Sequence, residues 1–382
     1  MVVSAEGGSG PAPHHFQALD SWRGIAALIV AIEHLAAQGP VLGHRFFWLG
    51  SIWVDFFFVL SGFIIAAAYG DRLAQGFPAR RFLWLRLGRI WPVHAVVLLA
   101  YLAIELLVWL SGNSAITGRT AFAGTRAPGD FAIQLVLLQA VFPVAIMTWS
   151  IPSWSISVEM LLYALAALGW RRLGQGGWLA GLVLACIAGW LLTRPDLVGG
   201  YHKLLRGLCG FGLGMAAWQL WTRLGPWLRR QGAGRMGFAE LAVTLAMIGA
   251  ILRWGFLPFT LGFDLLFALA VLVFAAERGI VSRLLLTRPL AGLGTISYSL
   301  YLVHSQVETA VTQAIARGAG LLGLGGSFVS APGSNRPALT GPYADLAALV
   351  AVLAAVAAAA LCYRLVERPC RAWSRRIAPR IG

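Results

Sequence analysis

Hydrophobic residues recur along the chain in runs of about 20 residues, separated by short polar segments rich in arginine. A helix rises about 1.5 Å per residue, so a run of this length crosses the roughly 30 Å hydrocarbon core of a bilayer. The pattern predicts an all-α integral membrane protein. Eleven apolar stretches fit this description, at residues 22–42, 49–69, 90–110, 131–148, 153–170, 177–193, 204–222, 238–253, 257–276, 291–315 and 343–366.

The charges in the loops decide which of these stretches cross the membrane. Cytoplasmic loops carry an excess of lysine and arginine. If 131–148 spans, Arg171 and Arg172 face outward and the later basic loops are inverted relative to 70–89. If it is re-entrant or interfacial, 21 of the 30 basic residues lie on the inner side. We therefore predict ten transmembrane helices, both termini in the cytoplasm, and one additional re-entrant or interfacial segment near 131–148.

The polar ends of the chain are expected to lie outside the bundle. Residues 1–18 have neither the basic nor the apolar region of a signal peptide, so we expect a disordered cytoplasmic tail. Residues 19–370 form the transmembrane domain, and residues 371–382 form a basic cytoplasmic tail.

Composition supports the membrane assignment and excludes other classes. The chain is 59% hydrophobic and 12% charged, whereas ordinary globular domains carry about 25% charged residues. A net charge of +15 would suggest a nucleic-acid partner in a soluble protein. Here the basic residues follow the topology pattern, so no such partner is expected. The four cysteines lack metal-ligand or disulfide spacing, so we expect no metal and treat them as packing residues: Cys186, Cys209, Cys362 and Cys370.

Ionisable residues inside the spans fall at one depth. His34, Asp55, Glu159 and His304 come from four different spans and all lie near the outer third of the bilayer. Ionisable groups in hydrocarbon are costly and usually face a functional path. A single residue of this kind is compatible with a packing role, but four together indicate a polar layer. No role is assigned to four further carboxylates: Glu33, Glu105, Asp264 and Glu308.

Arginines at the inner ends of two spans suggest a phosphate site. Arg86 and Arg89 share a helix face at spacing i, i+3, and guanidinium groups bind phosphate through paired hydrogen bonds. Arg23 shares a helix face with His34, about 16 Å away. The alternative is that Arg86 and Arg89 only orient the helix. A phosphate clamp below a histidine base predicts a path with the shape of a coenzyme A thioester.

Six motifs, in order, carry a family resemblance: LDSWRGIAALIVAIEH at 19–34, WVDFFFVLSGFII at 53–65, FLWLRLGRIWPVH at 82–94, WSISVEMLLY at 154–163, ISYSLYLVH at 296–304 and YRLVERPCR at 363–371. From about residue 17 to 376 the chain resembles the acyltransferase 3 family of integral membrane O-acyltransferases. The resemblance implies ten helices with cytoplasmic termini, an acyl-CoA donor, usually acetyl-CoA, and a sugar-containing acceptor modified toward the outer side.

The resemblance also implies roles for individual residues. The family's essential histidine falls on His34 and the carboxylate of its WSLxxE motif on Glu159, which we assign as catalytic. Its donor-binding arginines fall on Arg23, Arg86 and Arg89. Four further residues are assigned to an acceptor or structural pocket: Asp55, Tyr298, Tyr301 and His304. Met160 and Leu161 replace a glutamate and a glutamine that are common in the family, so the acceptor contacts near Glu159 stay open.

Two mechanisms and a second protein class stay open at this stage. In the favoured mechanism His34 deprotonates an acceptor hydroxyl, which attacks the thioester directly; in the other, His34 carries the acyl group. A proton-coupled transporter or flippase would use the same intramembrane acids and histidines as a relay. The RxxR pair favours the enzyme, with acyl-CoA as co-substrate and no bound cofactor.

The setting of the enzyme is predicted as follows. Arginine supplies nearly all of the 30 basic residues, which is typical of a high-GC bacterial genome and predicts a multi-pass protein of the bacterial plasma membrane. Some relatives carry an extracytoplasmic domain after the bundle. Here we expect a standalone transferase or a separate extracytoplasmic partner. The sequence does not identify the acceptor, for which a polysaccharide, a lipid-linked sugar and a glycosylated small molecule are all open.

Overall fold

The computed structural model describes residues 15–35, 38–112, 120–143, 147–255, 260–321, 328–330, 337–339 and 343–381. This part of the chain is almost entirely helical. Its helices are α1 (Gln17–His34), α2 (Arg45–Trp48), α3 (Trp53–Ile65), α4 (Asp71–Ala74), α5 (Ala79–Leu110), α6 (Pro128–Leu135), α7 (Trp154–Leu173), α8 (Gly177–Leu192), α9 (Pro195–Val198), α10 (His202–Arg230), α11 (Ala233–Trp254), α12 (Thr260–Phe274), α13 (Ile280–Leu285), α14 (Arg288–Leu321), α15 (Ala344–Cys362) and α16 (Arg368–Ile377). Strands β1 (Phe328–Ser330) and β2 (Pro337–Leu339) pair in an antiparallel hairpin, which the all-α prediction did not include.

Several of these helices are membrane-spanning in length and composition. Five continuous helical segments are long and apolar enough to cross a bilayer: Gly50–Ala74, Ala79–Leu110, Ile151–Leu192, Ala233–Trp254 and Ala344–Ile381. Helix α1 is less apolar than these because its 18 residues include Asp20, Arg23 and Glu33. The described part of the chain is therefore a multi-helix membrane protein in which some helices carry charge inside the bundle.

The apolar stretch at 131–148 does not form a long helix in its described residues. Helix α6 has eight residues and is about 12 Å long, too short to cross the hydrocarbon. The buried Gln134 then ties the segment back on itself: its Nε2 donates to the carbonyl of Thr148 at 2.7 Å and its Oε1 accepts from the amide of Ser150 at 3.2 Å. This satisfies buried polar groups that a membrane segment outside a regular helix must pair.

The N-terminal boundary of the bundle differs from the predicted one. Phe16 and Ala18, placed by sequence in a disordered tail, are buried. Phe16 packs edge-on against Phe63 with ring centroids 5.3 Å apart, and the Ala18 amide donates to Glu277 Oε1 at 2.8 Å. The prediction of disorder for residues 1–14 lies outside the described residues.

The C-terminal boundary also differs, because the predicted basic tail, 371–382, is part of the bundle in its described residues. Helix α16 packs against α5: Trp84 Nε1 donates to the carbonyl of Ser374 at 3.1 Å, and the rings of Trp84 and Trp373 lie 5.8 Å apart. A Cβ at Gly88 would lie 2.1 Å from Ser374 Oγ. Gly88 is therefore required for α16 to approach this closely.

Helices α1 and α14 touch backbone to backbone. A Cβ added at Gly24 would lie 2.6 Å from the amide nitrogen of Gly294, and one added at Gly294 would lie 2.4 Å from the carbonyl oxygen of Asp20. Small residues at helix crossings allow such close packing in membrane bundles. The contact fixes the N-terminal half of α1, which carries Arg23, against α14.

We expect Gly24→Ala to destabilise the protein by about 1–3 kcal/mol, because the new methyl group must push two helix backbones apart. The measurement is the thermal unfolding temperature of the purified protein in detergent. The matched control is Gly292→Ala on α14, where a Cβ would meet nothing within 4 Å. This control is expected to unfold at or above the wild-type temperature because alanine favours helix over glycine. Equal unfolding temperatures for both variants would contradict the close helix contact.

Candidate functional site

A cavity that is partly open to solvent lies between helices α1, α3, α5, α7 and α14. Its polar lining consists of Arg23, Ser61, Arg86, Arg89, Ser155, Glu159, Tyr163, Ser297, Tyr298 and Tyr301. Six residues that the sequence analysis assigned to the site therefore face one cavity, although they come from four helices far apart in the chain.

Arg23 is fixed at the cavity wall by the contact between α1 and α14. Its Nε donates to Ser297 Oγ at 2.8 Å and its Nη2 donates to the carbonyl of Gly294 at 3.1 Å. Nη2 also lies 3.0 Å from the carboxylate of Asp20, one helical turn earlier. These bonds hold the guanidinium in one orientation at the cavity wall.

Arg86 is buried, with 4% of its surface exposed, and is oriented by Tyr69. Its Nη2 donates to Tyr69 Oη at 3.1 Å, and its guanidinium lies 4.9 Å from the centre of the tyrosine ring. Tyr69 lies in the π-helical turn Ala66–Gly70 that follows α3, and such turns are frequent at functional sites. Arg86 Nε is buried and has no hydrogen-bond partner in the described part of the chain. This donor is available to an anion in the cavity.

Arg89, one turn beyond Arg86, lies among other guanidinium groups. The positive charges of Arg371, Arg23 and Arg86 all act on it. Like charges held this close repel one another, and an anion that bridges them relieves the repulsion while accepting several charge-assisted hydrogen bonds. The positive charge at this end of the cavity is therefore of the kind that suits an anion.

Glu159 lies in the same cavity with its carboxylate held on one side. Its Oε1 accepts a hydrogen bond from Ser61 Oγ at 2.8 Å and another from Tyr163 Oη. Within the described residues Oε2 accepts no hydrogen bond from the protein. A carboxylate fixed through one oxygen presents the other to a ligand.

His34 and His304, predicted at one depth from the sequence, are in contact. Their ring centroids lie 4.9 Å apart. Nδ1 of His34 lies 2.8 Å from the carbonyl of Val30, and Nδ1 of His304 lies 3.2 Å from that of Leu300. A carbonyl only accepts, so Nδ1 carries the hydrogen in each neutral ring and Nε2 is the basic nitrogen. In this tautomer Nε2 is the ring nitrogen of His34 that can accept a proton.

The histidine pair lies beyond the cavity wall rather than in it. His34 is not among the lining residues. Tyr301, which is, has its ring 6.1 Å from that of His304 and hydrogen-bonds through Oη to Ser155 Oγ at 2.8 Å. Along α1, Arg23 and His34 are separated by about 16 Å. The arginines therefore lie at one end of this polar region and the histidines at the other.

Asp55 does not line the cavity and has a structural role. It forms a two-point ion pair with Arg206, with Nε and Nη2 of the arginine 3.0 and 3.1 Å from its two oxygens. Their side chains are 4% and 15% exposed, and Arg206 also donates to the carbonyl of Ser51 at 3.1 Å. The pair joins α3 to α10. The sequence analysis missed Arg206 because, near a span end, it resembles a topology signal.

Two other predicted or unassigned residues also join helices or loops. Tyr298 lines the cavity, and its Oη donates to the carbonyl of Ile90 at 2.5 Å, joining α14 to α5. Glu105 accepts from the amide of Phe122 at 3.2 Å and lies 3.7 Å from Arg126, so it orders the loop beyond α5. The four cysteines are free, and the described residues contain no cluster of three or more potential metal ligands.

Comparison with known proteins decides the class of this site. Residues 16–364 match the acyltransferase 3 family, whose domain is described as an acyltransferase domain. The chain belongs to this family. It is a membrane acyltransferase, and the groups it transfers are other than aminoacyl groups.

The chain is similar to three named relatives, two of which are named as acyl-transferring proteins. The chain is 32% identical to the acyltransferase MdmB of Streptomyces mycarofaciens over 41% of its own length and 39% of that protein. The chain is 26% identical to BcsY of Komagataeibacter xylinus over 75% of its own length and 71% of that protein. The name of BcsY provisionally describes a membrane-bound transacylase. Protein 2 in the picA locus of Rhizobium radiobacter is 29% identical over 41% of this chain and 82% of that protein. No solved structure matches the chain.

Proposed function

We propose that this acyltransferase moves an acyl group, an acetyl group in keeping with the family, from cytoplasmic acyl-CoA to a hydroxyl of a carbohydrate-type acceptor near the outer face. The acceptor class comprises polysaccharides, lipid-linked sugars and glycosylated small molecules. One observation carries the proposal: arginines from two helices line one cavity, and a pair of histidines, His34 and His304, lies beyond its wall.

The donor is expected to enter with its phosphates on the arginines. Arg86 supports this because its buried Nε has no partner in the described part of the chain, and Arg23 is held so that it faces the same cavity. Coenzyme A joins its phosphates to the thioester by a long thin pantetheine arm. An arm of this kind runs from the arginines along α1 and brings the thioester carbonyl to the histidine pair.

The chemical step is a direct transfer with His34 as the base. His34 Nε2 takes the proton from the acceptor hydroxyl as its oxygen attacks the thioester carbonyl. The new C–O bond forms, the C–S bond breaks, and the proton on His34 passes to the leaving thiolate, so that free coenzyme A and the acyl ester are the products. Glu159 Oε2 is placed to accept a hydrogen bond from substrate in the cavity.

The proposal includes an orientation in the membrane. Ten helices in the described part of the chain have 13 residues or more: α1, α3, α5, α7, α8, α10, α11, α12, α14 and α15. We assign each of them one crossing, which leaves both termini in the cytoplasm and α6 at the membrane surface. This orientation follows the distribution of basic residues and opens the arginine end of the cavity to the cytoplasm of a bacterial plasma membrane.

The test uses the purified full chain in lipid nanodiscs. We expect it to bind acetyl-CoA and to hydrolyse it slowly, with release followed as free thiol. A sugar acceptor is expected to accelerate thiol release and to yield an acetyl ester, whereas the matched deoxy-sugar, which lacks the reactive hydroxyl, is not. Absence of acyl-CoA binding by the wild-type protein would overturn the proposed donor.

A further inference from the structure

Arg371, which the sequence analysis placed in a basic tail, is held against the cytoplasmic end of the bundle. Its Nη1 lies 3.2 Å from Glu367 Oε1, one helical turn earlier. Glu367 is buried, lies in the π-helical turn Tyr363–Glu367, and also accepts a hydrogen bond from Ser299 Oγ at 2.7 Å. Helix α14, the π-helical turn and α16 therefore hold the guanidinium of Arg371 through Glu367.

The packing of α16 directs Arg371 toward α5. Ser374 shares a helix face with Arg371 at spacing i, i+3, and Ser374 is the residue that contacts Gly88. Gly88 immediately precedes Arg89, so this contact brings α16 against the part of α5 that carries Arg89. By contrast, Arg376 on the same helix is exposed. Arg371 is thus the arginine of α16 that joins the guanidinium cluster.

We propose that Arg371 binds the ribose 3′-phosphate of the coenzyme A donor and so selects coenzyme A over its 3′-dephospho form. The inference rests on the proposed donor and adds a residue and a recognised group to it. In coenzyme A the order is thioester, pantetheine, diphosphate, ribose with its 3′-phosphate, and adenine. If the thioester lies at the histidines and the diphosphate on the cavity arginines, the ribose lies at the mouth of the cavity. Arg371 lies on α16, which packs against α5 beside Arg89, and it lies outside the cavity lining.

Charge supports the same assignment. The 3′-phosphate is a monoester, which carries about −1.5 to −2 charges at neutral pH and three acceptor oxygens. A guanidinium presents paired donors that match this group. Arg371 uses Nη1 for Glu367, and its repulsion with Arg89 falls when a dianion lies between them. A phosphate at this point therefore completes the cluster.

The test compares two ligands on three proteins. Acetyl-CoA and 3′-dephospho-acetyl-CoA are titrated against the full chain in nanodiscs, as wild type, Arg371→Ala and Arg376→Ala. We expect the wild type to prefer acetyl-CoA by roughly 10- to 100-fold, the range that a hydrogen bond to a charged group supplies. Arg371→Ala is expected to lose most of this preference by weakening acetyl-CoA binding alone. Arg376→Ala, which removes an equal charge from the exposed face, is expected to keep it.

Each other result has a defined meaning. An Arg371→Ala variant that weakens both ligands equally, or that keeps the wild-type preference, would overturn the assignment while leaving the proposed donor intact. A wild type that binds neither ligand would remove the proposed donor itself. If Arg371→Ala fails to fold, Arg371→Gln keeps a donor for Glu367 but loses the charge. The folded glutamine variant is expected to show the same loss of preference, and a retained preference would again overturn the assignment.

Discussion

Replacing Arg86 and Arg89 together with alanine is expected to weaken acyl-CoA binding by about 10²–10⁴-fold, because two charge-assisted hydrogen bonds to phosphate are lost. Arg86 is the more important of the two. It is buried, its Nη2 is held by Tyr69, and its Nε is left for a ligand. The loss is expected in binding itself, measured as the dissociation constant of acetyl-CoA for the purified protein in nanodiscs.

The matched control for this pair is Arg171→Ala/Arg172→Ala. These two arginines are exposed at the end of α7, so the control removes the same total charge from the same proposed side of the membrane. If Arg86 and Arg89 only orient the helix, both double variants are expected to bind acetyl-CoA alike. A phosphate site requires that only the Arg86/Arg89 variant loses binding. The variant Arg86→Lys/Arg89→Lys keeps the charge without the paired donors and is expected to fall between the two.

Depth along a helix could be estimated from the sequence, and two of the four residues predicted to lie at one depth are in contact. A helix in a bilayer has a fixed rise and two approximate end points, so the position of each polar residue is known within a turn or so. That argument placed His34 and His304 at one level, and their rings are in contact. It also placed Arg23, Arg86 and Arg89 at the inner ends of two spans, and all three line one cavity.

The sequence did not show which helices are neighbours. The contacts that the sequence analysis did not predict follow from this. Asp55 pairs with Arg206, which lies about 150 positions further along the chain, and no periodicity connects the two. Tyr69 reaches Arg86 from a π-helical turn, which shifts the register on which spacing arguments depend. Arg371 resembles a topology signal after the last span. The contacts of Gly88 and Trp84 with Ser374 show that its helix belongs to the bundle.

Replacing His34 with alanine is expected to lower the rate of acyl transfer by about 10²–10⁴-fold, the contribution of a positioned general base. The affinity for acetyl-CoA is expected to stay near the wild-type value, because the phosphates bind about 16 Å away along α1. The measurement is the initial rate of thiol release with saturating acetyl-CoA, alongside the dissociation constant. The matched control is His44→Ala, which removes an exposed histidine of the loop region after α1. Wild-type rates in His34→Ala would contradict the assignment of the base.

The wild type and His34→Ala, compared without acceptor, distinguish direct transfer from an acyl-histidine intermediate. Nδ1 of His34 is committed to the carbonyl of Val30, so an acyl group on the ring would have to bond to Nε2, the atom that direct transfer uses as the base. Incubating the wild type with acetyl-CoA and no acceptor therefore gives opposite outcomes in intact-protein mass spectrometry. Direct transfer predicts an unchanged protein mass and no burst of thiol. An intermediate predicts one added acetyl group per chain, with a thiol burst of equal size, and both vanish in His34→Ala.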